Sequence, residues 1–219
     1  MKARILDRLD PTRVERQEAF ANILGLAQEL HTRNRHALPA LITALLRPLQ
    51  SSQIAGVIER GENKAPSEVD RFQFFTDDVP AFRETQYCVN EREPVVLDLA
   101  FDVVLPTPWM RARTVGALAE IGHRPQQKAW RQDSNHIVVV WLPWRIGFVA
   151  GGNHSIAAGI LTGRGELEAT DVYDFSPLLR EVGCDGKTYS YLGNGERVAP
   201  VTDTRRAAVY EIGRLMIGS

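Results

Sequence analysis

The sequence predicts an α+β fold, in which a helical N-terminal region precedes a small domain built on a mixed sheet. Three observations favour this class. Apolar residues recur at helical spacing between residues 11 and 32. Residues 137 to 142 form a continuous apolar run of strand length. Residues 146 to 160 pass from an apolar strand through paired glycines into a helix of small residues. We therefore expect helices first and a strand-rich domain second.

The helical region is assigned to residues 1–60. Asp10 and Pro11 provide a cap and a first-turn proline, so the first helix is expected from about residue 11 to residue 32. Residues 37 to 49 are rich in leucine and predict a second helix that ends near Pro48. A further short helix, capped by serine, is expected before Gly61. A DNA-reading helix-turn-helix is disfavoured because no basic helix follows.

Residues 61–93 open with a polar stretch rich in helix breakers and are interpreted as a connecting segment. The α/β domain then spans residues 94–219. Its first half is expected to hold strands within 95–105, a helix at 110–121, and strands at 137–142 and 146–150. A helix at 155–161, a strand at 168–175 and a short helical turn at 176–179 follow. A hairpin at 183–195 then precedes a final helix, which Thr204 caps and which ends at Met216.

Composition places the chain among ordinary globular proteins. Of its 219 residues, 44% are hydrophobic and 24% are charged, which disfavours intrinsic disorder. Cys88 and Cys184 lie far apart without a paired motif, so we expect neither a disulfide framework nor a zinc site. The N-terminus lacks the apolar core of a signal peptide, and no apolar run reaches membrane-spanning length. We expect a cytoplasmic protein with no membrane association.

Charge is unevenly distributed along a chain whose net charge is only −1. Between residues 111 and 131 five basic residues stand against Glu120 alone, which indicates a local basic surface. The five are Arg111, Arg113, Arg124, Lys128 and Arg131. A phosphate-facing role and an ordinary solvated surface are both open for this segment.

The paired glycines mark the candidate binding loop. Gly151 and Gly152 allow a tight turn after a strand, and Asn153, His154 and Ser155 then open a helix. Helix N-termini carry unpaired N–H groups and positive potential, so a phosphate or carboxylate suits such a loop. The alternative is purely structural: the glycines form a turn, and Asn153 or Ser155 caps the helix.

Three features in order resemble the nucleotide-binding core of ParB N-terminal domains and sulfiredoxins, over about residues 94 to 177. Leu99 to Trp109 reads Leu-Ala-Phe-Asp-Val-Val-Leu-Pro-Thr-Pro-Trp, like that family's strand and Pro-x-Pro turn. The loop from Gly151 to Ser155 and the break at Gly163 match its glycine-led helix. Tyr173-Asp-Phe-Ser176 matches a following strand that ends in Asp-x-Ser.

The resemblance implies a phosphate-binding loop at residues 151 to 155, with arginines after the Pro-x-Pro turn as ligand partners. The sequence departs from the family at the loop itself. ParB-type domains carry an acid and two arginines after the glycine, and these are absent here. Sulfiredoxins place a nucleophilic cysteine where Asn153 stands, and an amide cannot perform that chemistry. Sulfiredoxin activity is therefore disfavoured.

The preferred hypothesis is binding of a phosphate-bearing ligand, either a nucleotide or a nucleic-acid backbone, at this loop. Arg111, Arg113 and Arg145 would neutralise its charge. His154 is the candidate catalytic residue, as base or phosphate ligand, if phosphoesters or nucleotides are hydrolysed; a structural role is equally open for it. No metal ligand set is assigned, and a nucleotide and magnesium are open as cofactors.

The alternative hypothesis is a non-catalytic protein-interaction module with a decayed nucleotide site, such as a mobile-element accessory or a host-defence antagonist. Its protein partner would bind the N-terminal helical region and the acidic segment from Glu59 to Glu93. The absent acid and arginines favour this alternative, and the retained glycine pair opposes it.

Overall fold

Two long helices form the N-terminal region. The computed structural model describes residues 11–60, 69–77, 79–89 and 93–218. Helix α1 spans Pro11–Asn34, and after a turn of 3₁₀ helix at Arg35–Ala37, helix α2 spans Leu38–Arg60. The expectation of a break at Pro48 was wrong, because α2 continues through it. The helix buries residues before and after the proline against the rest of the fold, and this packing offsets the lost backbone hydrogen bond.

A four-stranded mixed sheet carries the candidate site. Its strands are β2 (Val103–Leu105), β3 (Ile137–Leu142), β4 (Ile146–Gly151) and β6 (Asp171–Asp174), in the order β2-β4-β3-β6. Strand β2 is parallel to β4, β3 is antiparallel to β4, and β6 is parallel to β3. The carboxyl ends of β2 and β4 therefore share one edge of the sheet.

The other strands within the described ranges form two smaller sheets. Strands β1 (Val96–Asp98) and β5 (Glu166–Glu168) pair antiparallel. Strands β7 (Val182–Cys184), β8 (Thr188–Tyr191) and β9 (Arg197–Pro200) form a three-stranded meander. The hairpin predicted at 183–195 thus gains a third strand. The strand predicted at 168–175 corresponds to β6, and β5 just before it belongs to a different sheet.

In the part of the chain that the structure describes, four more α-helices follow the N-terminal pair. They are α3 (Arg111–Glu120), α4 (Asn153–Thr162), α5 (Ser176–Glu181) and α6 (Thr204–Ile217). The predicted cap of α6 was one residue late: Asp203, not Thr204, accepts the capping hydrogen bond from the amide of Arg206 at 2.8 Å. The α+β class predicted from the sequence is confirmed.

The helical region and the sheet share a hydrophobic core. Buried residues of α1, α2 and α6 belong to the same cluster as one face of the four-stranded sheet. Aromatic rings dominate that cluster: Phe74, Phe75, Trp141, Trp144, Phe148, Phe175, Tyr189 and Tyr210. The core position predicted for Trp141 is confirmed.

The described part of the segment predicted to be a connector is built into this core. Phe74 and Phe75 are 1% and 2% exposed, and their rings pack edge-on at 5.0 Å. Glu84, also buried, accepts a 2.8 Å hydrogen bond from the indole nitrogen of Trp141 and forms a 3.0 Å ion pair with Arg71. The described residues of this segment, 69–77 and 79–89, thus pack against the rest of the fold and do not form a free linker. Among the described residues, no helix combines the length and apolar character needed to cross a bilayer.

Candidate functional site

The candidate site lies where β2 and β4 end. The chain leaves β2 through Pro106-Thr-Pro-Trp-Met110 and enters α3, and it leaves β4 through the paired glycines and enters α4. Because β2 and β4 are parallel neighbours, both helices begin at the same edge of the sheet. Ligands of open α/β sheets bind at such carboxyl edges.

Side chains of α4 hold the loop that precedes α3. The Asn153 side-chain oxygen accepts a 2.6 Å hydrogen bond from the amide of Thr107. The Nε2 atom of His154 accepts a 3.1 Å hydrogen bond from the amide of Met110, which is the N-cap residue of α3. Asn153 and His154 are 6% and 8% exposed. These two bonds fix the N-termini of α3 and α4 beside each other.

The surroundings of His154 favour the neutral form of its imidazole. Burial and the nearby charge of Arg113 lower the pKa of His154 below its ordinary value. Its Nε2 atom accepts a hydrogen bond, so the ring proton lies on Nδ1. The ring also packs edge-on against Trp109, with centroids 4.7 Å apart. Since Nε2 is occupied by a backbone amide, the geometry favours a positioning role for His154 over the predicted role of base.

The two glycines make room for neighbouring protein atoms. Gly152 has a φ of 76°, and a Cβ there would collide with Cδ2 of His136. A Cβ on Gly151 would lie 2.6 Å from the carbonyl oxygen of Asn135. The glycine pair therefore permits close approach of the loop before β3. This close approach agrees with the alternative in which the glycines have a structural role. A Gly152→Asp substitution would therefore disturb the fold whether or not a ligand binds.

A second histidine, His136, packs beneath the loop. The Nδ1 atom of His136 accepts a 2.7 Å hydrogen bond from the amide of Asp133, and its ring lies 5.1 Å from that of Trp130. Burial lowers the pKa of His136, although Asp133 opposes the shift. The Trp130 indole then donates to the hydroxyl of Ser155 at 3.1 Å. The side chain of Ser155 is thus engaged within the protein.

Two of the three predicted arginines lie at the site. Arg111 and Arg113 occupy the first turn of α3 and are exposed, and the charge of Arg113 reaches His154. Arg145 does not: it precedes β4, about 20 Å along the strand from Gly151. There it donates to Asp102 at 2.9 Å, and this partner raises the pKa of Arg145. The assignment of Arg145 to the site was wrong, because the strand separates it from the loop.

Neither helix N-terminus at this edge has a side-chain cap. The N-cap residues are Met110 for α3 and Gly152 for α4, and neither has a side-chain oxygen that could accept a hydrogen bond from the first amides of its helix. The first amides of each helix have no carbonyl partner within their own helix. Two positive helix ends therefore meet at this edge of the sheet, and Arg111 and Arg113 lie in the first turn of one of these helices.

A cavity of about 410 Å³ lies beside these helix ends. Thr107, which the side chain of Asn153 contacts, forms part of its wall together with Leu105, Phe148 and Val149 of the two parallel strands. Its far wall is the segment Val69 to Phe72. The sequence offered no signal for this wall, since the segment lies more than 30 residues before β2. Across the described ranges, no three His, Cys, Asp or Glu side chains are grouped as a metal site.

Comparison with known protein families assigns the chain to a family. A profile for a family of unknown function, DUF6710, matches residues 8–219. No curated protein and no solved structure matches the chain. The resemblance to ParB N-terminal domains and sulfiredoxins therefore stays a prediction. Because the profile covers nearly the whole chain, the protein belongs to the DUF6710 family.

Proposed function

We propose that this protein binds a phosphate-bearing ligand, a nucleotide or a nucleic-acid backbone, at the edge where α3 and α4 begin. The convergence of two uncapped helix N-termini is the observation that carries the proposal. Backbone amides and the helix dipoles favour an anion there. Arg111 and Arg113 add two positive charges from the first turn of α3.

The buried contacts of Asn153 and His154 support the proposal by preorganising the site. Each side chain accepts a hydrogen bond from the loop before α3, so the two sets of helix amides are held in place without a ligand. A binding site that is ordered beforehand loses less conformational freedom when the ligand arrives. The cavity lined by Thr107 offers room for the part of the ligand that is not phosphate.

Binding is a better-supported function than hydrolysis. Hydrolysis needs a group that can accept a proton from water, and Nε2 of His154 already accepts the Met110 amide. The departures from the ParB pattern after the glycine are consistent with a ligand held by amides and two arginines.

No specific observation on the described residues supports the alternative, in which a protein-interaction module binds its partner through the N-terminal helices. The buried apolar residues of α1 and α2, among them Phe20, Leu38 and Ile42, pack into the protein's own core. The large apolar side chains that these helices expose, Val14, Leu26 and Ile58, are scattered. This alternative is the conclusion that we would draw if no phosphate ligand bound.

Thermal melting tests the proposal. The purified protein is melted with inorganic phosphate and with each ribonucleotide, with and without magnesium. A ligand at a hundred times its Kd stabilises the folded state by about 2.7 kcal/mol. For a chain of this size that corresponds to a rise in Tm of about 5–10 °C.

A matched pair of variants localises the effect. Arg111→Ala/Arg113→Ala removes the charges at the site, whereas Arg180→Ala/Arg197→Ala removes two exposed charges on α5 and β9. We expect the ligand-dependent rise in Tm to vanish in the first variant and to persist in the second. Equal rises in both variants, or no rise with any ligand in the unmodified protein, would overturn the proposal.

A further inference from the structure

We propose that the ligand is a single nucleic-acid strand, whose backbone runs from the helix N-termini across the surface formed by α3, α4 and the loop 121–131. We call this surface the α3–α4 face. The inference rests on the proposed function, because one phosphate of the strand would occupy the site described above. It extends that function by naming a polymer as the ligand.

The α3–α4 face carries six exposed basic side chains. None of the six forms an ion pair with any residue in the ranges that the structure describes. They are Arg111, Arg113, Arg124, Lys128, Arg131 and Arg164. Unpaired surface cations attract phosphates and release counterions when a polyanion binds. Five of the six belong to the basic segment 111–131, and Arg164 follows the end of α4 by two residues.

The hydrogen bonds of the face fix its layout. Met110 joins His154 where the two helices begin, and Nε2 of His123 lies 2.7 Å from the carbonyl oxygen of Thr162 where α4 ends. Helices α3 and α4 therefore run side by side in the same direction. Each has ten residues and is about 15 Å long. The cations lie at both ends, so a single phosphate cannot contact all of them but a strand can.

An exposed aromatic ring stands at the start of this path. Trp109 is 37% exposed, while its other side packs on His154. It directly precedes the turn that carries Arg111 and Arg113. Aromatic rings between cations stack unpaired bases, and bases in a duplex are not available for such stacking. This favours a single strand over a double helix.

Few acids oppose the cations. Glu120 ends α3, Asp133 is held near His136, and Glu166 follows Arg164 by two residues. Helix α4 itself contains no acidic residue. The face is therefore positive overall, although the chain as a whole carries a net charge of −1.

Fluorescence anisotropy with a labelled oligothymidylate tests the inference, at low and moderate salt. We expect Arg124→Gln/Lys128→Gln to weaken binding by at least about tenfold at low salt. The slope of log K against log salt should fall by about 1.4, the value for two lost contacts to a single strand. Trp109→Ala should weaken binding by about five- to hundredfold, the range for one stacked base. The controls are Arg180→Gln/Arg197→Gln and Phe101→Ala, which alter exposed residues away from the face.

The outcomes separate this inference from the proposed function. If phosphate or a mononucleotide raises Tm but the oligothymidylate does not bind, the polymer inference is wrong and the proposed function stands. Binding that the Arg124/Lys128 variant and the Arg180/Arg197 control weaken equally would likewise overturn it. Tighter binding of a duplex of the same length would overturn the choice of a single strand. Binding lost only in the variants of the face would support the inference.

Discussion

The packing of His136 against Gly152 gives a prediction that distinguishes two explanations of the glycine pair. Gly152 and Gly163 stand at the two ends of α4, and both have left-handed backbones, with φ of 76° and 63°. A Cβ on Gly152 would collide with His136, whereas a Cβ on Gly163 would meet nothing within 4 Å. Substitution by alanine therefore adds the same backbone strain at both positions and a collision at only one of them.

The magnitudes follow from these two terms. The left-handed conformation costs a residue with a Cβ about 1–2 kcal/mol. Overpacking against a buried ring adds about 1–3 kcal/mol. We expect Gly163→Ala to lower the free energy of unfolding by about 1–2 kcal/mol and Gly152→Ala to lower it by about 2–5 kcal/mol.

Urea unfolding followed by tryptophan fluorescence measures both values. A double-mutant cycle with His136→Ala isolates the collision, because removing the ring should make Gly152→Ala less costly by about 1–3 kcal/mol. Equal destabilisation in the two alanine variants, with no coupling to His136, would refute the reasoning. The close approach that Gly152 allows would then serve something other than the histidine, and a ligand would become the better explanation.

Three further predictions concern single side chains. Glu84→Ala leaves the Trp141 indole without an acceptor and should lower the free energy of unfolding by about 1–3 kcal/mol, whereas Glu84→Gln, which keeps an acceptor, should lower it less in the same urea assay. Arg145→Ala should lower Tm slightly, by the loss of a half-exposed ion pair worth about 1 kcal/mol, and should leave any phosphate-dependent rise in Tm intact. Because the pKa of His154 is lowered in the folded state, protonation of this residue favours the unfolded chain. The free energy of unfolding should be highest above the ordinary histidine pKa of about 6.5 and should decline as the pH falls below it. Urea midpoints measured against pH should show a smaller decline in His154→Gln.

Elements with strong local periodicity were predictable from the sequence. Strand β3 and helix α3 lie within a residue of their predicted bounds, since a continuous apolar run or a helical spacing is a local property. The errors arose where tertiary packing prevails. Helix α2 passes through Pro48 because residues before and after the proline pack into the core. The segment 61–93 was interpreted as a connector from its polar start, yet Phe74 and Phe75 within it enter the core.

The position of the candidate site was predictable, but the roles of its side chains were not. A strand that leads through glycines into a helix is a local pattern, and α4 begins where that pattern placed it. The partners of Asn153 and His154 are the amides of Thr107 and Met110, which lie 46 and 44 residues away in sequence. Local sequence patterns do not predict hydrogen bonds between residues so far apart in the chain. The misplacement of Arg145 has the same origin, because its position at the far end of β4 depends on the strand between it and the loop.

These contacts also bear on the proposed function, because the loop lacks the acid and the paired arginines that hold the ligand in ParB-type domains. In this protein the side chains after the glycines turn inward: Asn153 and His154 hold the loop before α3, and Ser155 accepts a bond from Trp130. The groups left to face a ligand are the backbone amides of two adjacent helix ends, which need no particular side chain. Charge then comes from α3, through Arg111 and Arg113, and not from α4. A site divided between two helices depends on the distance between them. Asn153→Ala removes one of the two hydrogen bonds that hold the helices together. We expect this variant to show a smaller phosphate-dependent rise in Tm, although no ligand contact is removed.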